Sequence, residues 1–168
     1  MTALLEPMDP RSSRSEVFGD YLDYFRTTLL TKLEALSPEQ RTTSGLPSGW
    51  TPLELLKHLT FVERRWLVWG FLGAAVAEPW GDQVDGVWRL RPDEGLAELR
   101  TAFLAQAEVS RSILAAHPLS AVGRPGPRWA GAEPATLERV LFHLLQEYAR
   151  HLGQLDVVCE LAGGPVGE

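Results

Sequence analysis

Leu137-Glu-Arg-Val-Leu-Phe-His-Leu-Leu-Gln-Glu-Tyr-Ala-Arg-His-Leu-Gly-Gln-Leu-Asp-Val-Val-Cys-Glu-Leu161 is the stretch on which the fold turns. Its apolar residues return every three or four positions, the period of an amphipathic helix at about 100° per residue. Leu137, Leu144, Tyr148 and Leu155 mark the centre of the buried side, flanked by Val140 and Val158. Arg139, Gln146, Gly153 and Glu160 face the other way. The helix starts between Pro134 and Leu137, and Gly163-Gly164-Pro165 ends it.

Three earlier segments share that period. From Ser15, the residues Phe18, Tyr21, Leu22, Phe25, Leu29, Leu33 and Leu36 form a first helix that stops before Ser37-Pro38. The second opens on a T-x-x-E capping box, Thr51 to Glu54, with Pro52 at the first helical position. Its apolar side runs Leu55, Leu59, Val62, Trp66 and Trp69, which puts Lys57, Thr60 and Arg64 opposite and Leu67 and Phe71 on the outer side. A third helix begins near Asp93 and carries Leu96, Leu99, Phe103, Val109, Ile113 and Leu114 up to Pro118. Loops rich in Gly, Pro and Ser join them, and residues 79–92 have room for a short extended piece.

Four long helices without a strand pattern predict an all-α protein, an antiparallel four-helix bundle whose long loops admit a crossover connection. Residues 15–163 read as one domain, after a loose arm over 1–14 and before a tail over 164–168. A length of 168 residues suits that single domain. With 22 acidic against 16 basic residues the formal charge is −6, which argues against non-specific binding of nucleic acid. One cysteine, Cys159, excludes an internal disulfide, and its place on the core side of the last helix reads as packing. No apolar run approaches the roughly 18 residues a membrane span needs, and no secretory start is present, so the expected address is the cytoplasm. Spare apolar surface at Leu67 and Phe71 predicts a two-fold homodimer.

The chemistry lies in what interrupts the apolar faces. Glu147 and His151 fall within the buried sector of the last helix, and His143 and Gln154 lie at its border. A carboxylate on a core stripe is costly unless something positive pairs with it. Residues four apart on a helix stand about 5–6 Å apart at Cβ, so Glu147 and His151 can reach one small cation. His58, between Leu55 and Val62, offers a third ligand from the second helix. Two His and one Glu match a zinc set whose fourth position stays open. The same residues also fit a buried Glu–His ion pair beside a hydrogen-bonded core histidine. His117, beside Pro118, reads as a helix C-cap.

The segments Trp50-Thr-Pro-Leu-Glu-Leu-Leu-Lys-His-Leu-Thr-Phe-Val-Glu-Arg-Arg-Trp66 and His143-Leu-Leu-Gln-Glu-Tyr-Ala-Arg-His-Leu-Gly-Gln154 resemble the DinB-like superfamily. They are closest to its branch related to mycothiol-dependent maleylpyruvate isomerase. The resemblance spans nearly all of residues 15–163. It implies an up-down-down-up bundle with a long crossover and a metal held by one His of the second helix and two ligands of the last. His58 matches the first ligand and His151 the last, while Glu147 stands where many members have His and where the mycothiol-dependent isomerase branch has Glu. It further implies a divalent metal, zinc first with nickel or iron as alternatives, and a low-molecular-weight thiol such as mycothiol as cosubstrate. The implied activity is S-transfer or thiol-assisted isomerisation on an electrophilic small molecule. The chain lacks the isomerase's additional C-terminal domain, so maleylpyruvate itself is not the expected substrate.

A metal with three protein ligands can lower the pKa of an incoming thiol, so no side chain need act as nucleophile. The open position serves water equally well, which keeps a metal-dependent hydrolase in play, as well as a non-catalytic metal- or ligand-binding bundle. Arg65, Arg128 and Arg150, with His143, are candidate contacts for thiol or substrate at the rim. Trp66, Trp69 and Trp129 are candidate walls of an apolar pocket.

Overall fold

The computed structural model describes residues 5–164 and is mostly helical. Helix α1 (Arg14–Ala35) starts on a full capping box, with the Ser13 side chain accepting from the Glu16 amide. A short α2 (Pro38–Thr42) follows immediately, on a second box formed by Ser37 and Gln40. The apolar periodicity stops before Ser37-Pro38 and does not mark this turn, although Ser-Pro-Glu-Gln is itself a helix start. α3 (Pro52–Glu63) has the Thr51–Glu54 box read from the sequence. Strands β1 (Gln83–Val84) and β2 (Val87–Trp88) form a small antiparallel hairpin where an extended piece was expected. α4 (Leu96–Ala116) starts on Gly95, later than Asp93, because Glu94 turns away to pair with Lys57 Nζ at 2.7 Å. α5 (Leu137–Leu161) is capped by Thr136 and carries the opening stretch whole.

The second helix departs from its wheel. From Arg64 to Phe71 it continues as a π-helix, closed by the Leu72 amide donating to Leu67 O at 3.0 Å. Wider π turns rotate each residue less than α turns do, so positions after Glu63 slip back towards the core side. Leu67 and Phe71, read as outward, are therefore buried at 0% and 3% exposure. They supply no surface for the expected dimer. Lys57 and Thr60 are buried too: the hairpin segment covers Lys57, whose Nζ donates to Arg89 O at 2.9 Å, and Thr60 Oγ1 donates back to Leu56 O at 2.9 Å.

The helices share one core, in which Leu29, Leu33, Leu55, Leu59, Phe103, Leu137, Leu144, Tyr148 and Leu155 are sealed from water. Each such side chain contributes about 1.5–3 kcal/mol relative to exposure. Contacts give the relative directions. Arg14–Glu138, Phe25–Tyr148 and Lys32–Asp156 advance together, so α1 runs with α5. His58–His151 and Trp66–His143 advance oppositely, so α3 runs against α5. Glu63–Ser110 and Phe71–His117 set α4 along α3, while Asp23–Arg111 and Glu34–Arg100 set it against α1.

Residues 5–13 of the expected arm lie outside regular structure, yet Arg11 pairs with Asp20 and Ser13 caps α1. Residues 1–4 of the arm and 165–168 of the tail lie outside the described residues. Among the described residues no helix is long and apolar enough to cross a membrane.

Candidate metal centre

His58 sits on the middle of α3, and Glu147 and His151 stand one turn apart on the facing stretch of α5. The antiparallel crossing brings one ligand atom from each within 4.8 Å of the others. Glu147 Oε2 lies 3.3 Å from His151 Nε2 and 3.9 Å from His58 Nε2. The two imidazoles meet edge to face, with centroids 5.0 Å apart.

Each ring is held from behind. His58 Nδ1 is 2.9 Å from Asp82 Oδ2, and His151 Nδ1 is 2.9 Å from Gln154 Oε1. An oxygen acceptor at each Nδ1 favours the tautomer with the proton there, which would turn the Nε2 lone pair towards the cluster when a cation is held. Asp82 is fully enclosed, and Arg65 clamps it through Nη1 to Oδ1 at 2.7 Å and Nη2 to Oδ2 at 3.2 Å. Burial alone would raise the Asp82 pKa, but the hydrogen bonds from His58 and Arg65 hold it below the ordinary value. Trp88 of β2 stacks on His58 with ring centroids 4.1 Å apart.

The facing imidazoles of His151, then of His58, hold Glu147 well below the usual carboxylate range, so it is an anion near neutrality. An anionic oxygen facing two nitrogen lone pairs is repulsive unless a cation or protons lie between them. That donor set, two neutral imidazoles and one carboxylate, fits a divalent zinc-like ion with one side left open.

His143 stands on the next turn of α5, its Nε2 3.5 Å from Glu147 Oε1 and its ring 4.1 Å from Trp66. Burial pushes its pKa down; Glu147 opposes that shift, while Arg128 and Arg139 add to it. The arginines read as rim contacts separate. Arg65 is buried behind His58 on Asp82 and Pro79 O, so it is not at the rim. Arg150 is exposed on α5. Arg128 lies over the Trp66 ring at 4.1 Å, and Trp129 edges Trp66 at 6.1 Å. Trp69 makes no ring contact in this group. Cys159 is buried in the core, which pushes its thiol pKa up, as a packing residue requires. His117 occupies the C-cap position of α4, its ring against Phe71.

Asp82 is the site residue that sequence reading missed. It lies in an irregular loop, where no periodicity marks it out. Asp82→Asn should lower divalent-metal affinity about 10- to 100-fold, the usual effect of losing a ligand's orienting partner. Competition with a chromogenic chelator measures it, and an unchanged affinity would leave Asp82 a purely structural group.

The family model that matches this chain places it in the DinB-like class. More narrowly, the chain belongs to the mycothiol-S-transferase (MST) family, whose model matches residues 17–164. A comparison with curated proteins found no match.

Proposed function

We propose that this chain is a metal-dependent S-transferase that joins the sulfur of mycothiol to an electrophilic small molecule. The family supports the thiol. The convergence of two Nε2 atoms and one carboxylate within 4.8 Å carries the metal. We further infer the up-down-down-up bundle, which the paired directions of α1 with α5 and of α3 with α4 support, and a cytoplasmic setting. Glu147 in place of a third histidine supports kinship with the maleylpyruvate isomerase branch.

His58, Glu147 and His151 would hold the ion, with zinc first by donor set. A bound zinc ion supplies the positive charge that favours thiolate over thiol near neutral pH. Asp82 and Gln154 fix the tautomers that leave both Nε2 atoms bare. Glu147 lowers the net charge of the site by one unit compared with three neutral histidines. His143, kept neutral by burial and half-exposed beside Glu147, is placed to take the thiol proton at Nε2. Trp66 and Trp129 form an apolar wall next to it.

Titrating cobalt-loaded protein with mycothiol should add a near-ultraviolet sulfur-to-cobalt band, and the S-methyl analogue should add none. Glu147→Gln should weaken the band. Cobalt uptake with no response to mycothiol would reject thiol transfer in favour of hydrolysis or a non-catalytic role.

A further inference from the structure

The Pro127–Trp129 3-10 turn lays Arg128 on Trp66, which borders His143 beside the candidate centre. Trp129 Nε1 pins the turn by donating to Gly70 O at 3.0 Å, and the Arg128 guanidinium covers the Trp66 ring. Trp66 in turn touches His143, which faces Glu147. Arg128 is half-buried, and its Nε is shielded from solvent with no hydrogen-bond partner among the described residues. The influences on it are burial and the like charge of Arg65, and both push its pKa down. A partly dehydrated guanidinium without a counter-ion is unfavourable, and stacking on Trp66 satisfies none of its N–H groups. The other buried arginines contrast with it: Arg65 is closed on Asp82 and Arg26 on Glu63.

We propose that Arg128 is the receptor for a carboxylate on the electrophile, so that the chain acts on anionic electrophiles. This rests on the S-transfer reading for the word electrophile; the anion subsite itself does not. The two Nη groups, which unlike Nε are not sealed from solvent and make no hydrogen bond among the described residues, form the edge that meets a carboxylate through two parallel hydrogen bonds. Mycothiol has no carboxylate, so the anion belongs to its reaction partner. A phosphate draws on several donors, but the Arg65 fork is occupied, and Arg139, the other arginine acting on His143, is exposed.

Calorimetric titration of chelator-treated protein, without thiol, compares 3-nitrobenzoate with its uncharged match 3-nitrobenzamide. The benzoate should bind about tenfold tighter or more, the scale of a charge-assisted pair. Arg128→Gln should abolish the difference. Arg128→Lys should keep only part of it, since lysine retains the charge and loses the fork. Circular dichroism of both variants checks that they fold. Equal binding of the two probes by the wild type, or a preference that survives in Arg128→Gln, overturns the proposal. Inorganic phosphate binding as tightly as the benzoate overturns the carboxylate assignment. Because no thiol or metal is present, the anion preference is read independently of S-transfer: if cobalt-loaded protein fails to respond to mycothiol, the transferase reading falls and the subsite stands.

Discussion

Replacing His151 with alanine should take the purified protein from about one divalent metal ion per chain to almost none. His151 supplies one of three ligand atoms, and losing a direct ligand should cost more than the 10- to 100-fold typical of losing its supporting partner. The helix should survive the change. Leu144, Tyr148 and Leu155 anchor α5 independently, and His151 bonds within the described residues to Glu147 and Gln154 on its own helix. The destabilisation should therefore stay near the common 1 kcal/mol of a point mutation. Metal analysis and far-ultraviolet circular dichroism read the two effects separately. His143→Ala is the companion variant and should keep its metal, because His143 lies outside the three-residue cluster. Metal content unchanged in His151→Ala would remove the centre altogether.

The second large effect concerns stability. Glu63 is fully buried, and all four long helices meet on its carboxylate. Arg26 of α1 donates to Oε1 at 2.9 Å and to Oε2 at 2.8 Å. Tyr148 of α5 donates to Oε1 and Ser110 of α4 to Oε2, both at 2.5 Å. Phe25 stacks flat on Tyr148 and closes the group from the α1 side. Glu63→Ala would leave Arg26, 4% exposed, with only the half-exposed Asp23, and would strand the Tyr148 hydroxyl, while Ser110 keeps its bond to Gln106 O. Stranding a buried charge costs about 3–5 kcal/mol, a large part of the 5–15 kcal/mol that holds a typical domain together. The pair itself need not be strongly stabilising, because desolvating both ions offsets much of their attraction. Arg26→Met with Glu63→Leu and Tyr148→Phe should therefore recover most of the loss. Urea unfolding of the single and combined variants measures the coupling. A single variant that loses less than about 1 kcal/mol would show that the network is not dehydrated in solution.

Glu147 and His151 are neighbours because they lie four apart on one helix, and that spacing is present in the chain. Glu63 falls on the wheel beside Val62 and looks like any helix carboxylate. Its partners lie 37, 47 and 85 residues away, and no local pattern announces them.

What the chain determines alone is therefore local. Apolar residues at helical spacing, the Thr51–Glu54 box, the glycines after Leu161 and the pairing of Glu147 with His151 all follow from interactions within a few residues. Those interactions act the same way in any fold that keeps the helix. His58 was legible as a polar residue on an apolar face, though its approach to α5 was not. Tertiary structure decided the rest. Covering α3 on every side turned Lys57 and Thr60 inward, and the π turns after Glu63 carried Leu67 and Phe71 into the core. The path of an irregular loop brought Asp82 to His58 across 24 residues and gave Arg65 an interior partner. Another loop laid Arg128 on Trp66. Loop paths are set by the sum of many weak long-range contacts, whereas helical periodicity is imposed by backbone hydrogen bonds four residues apart.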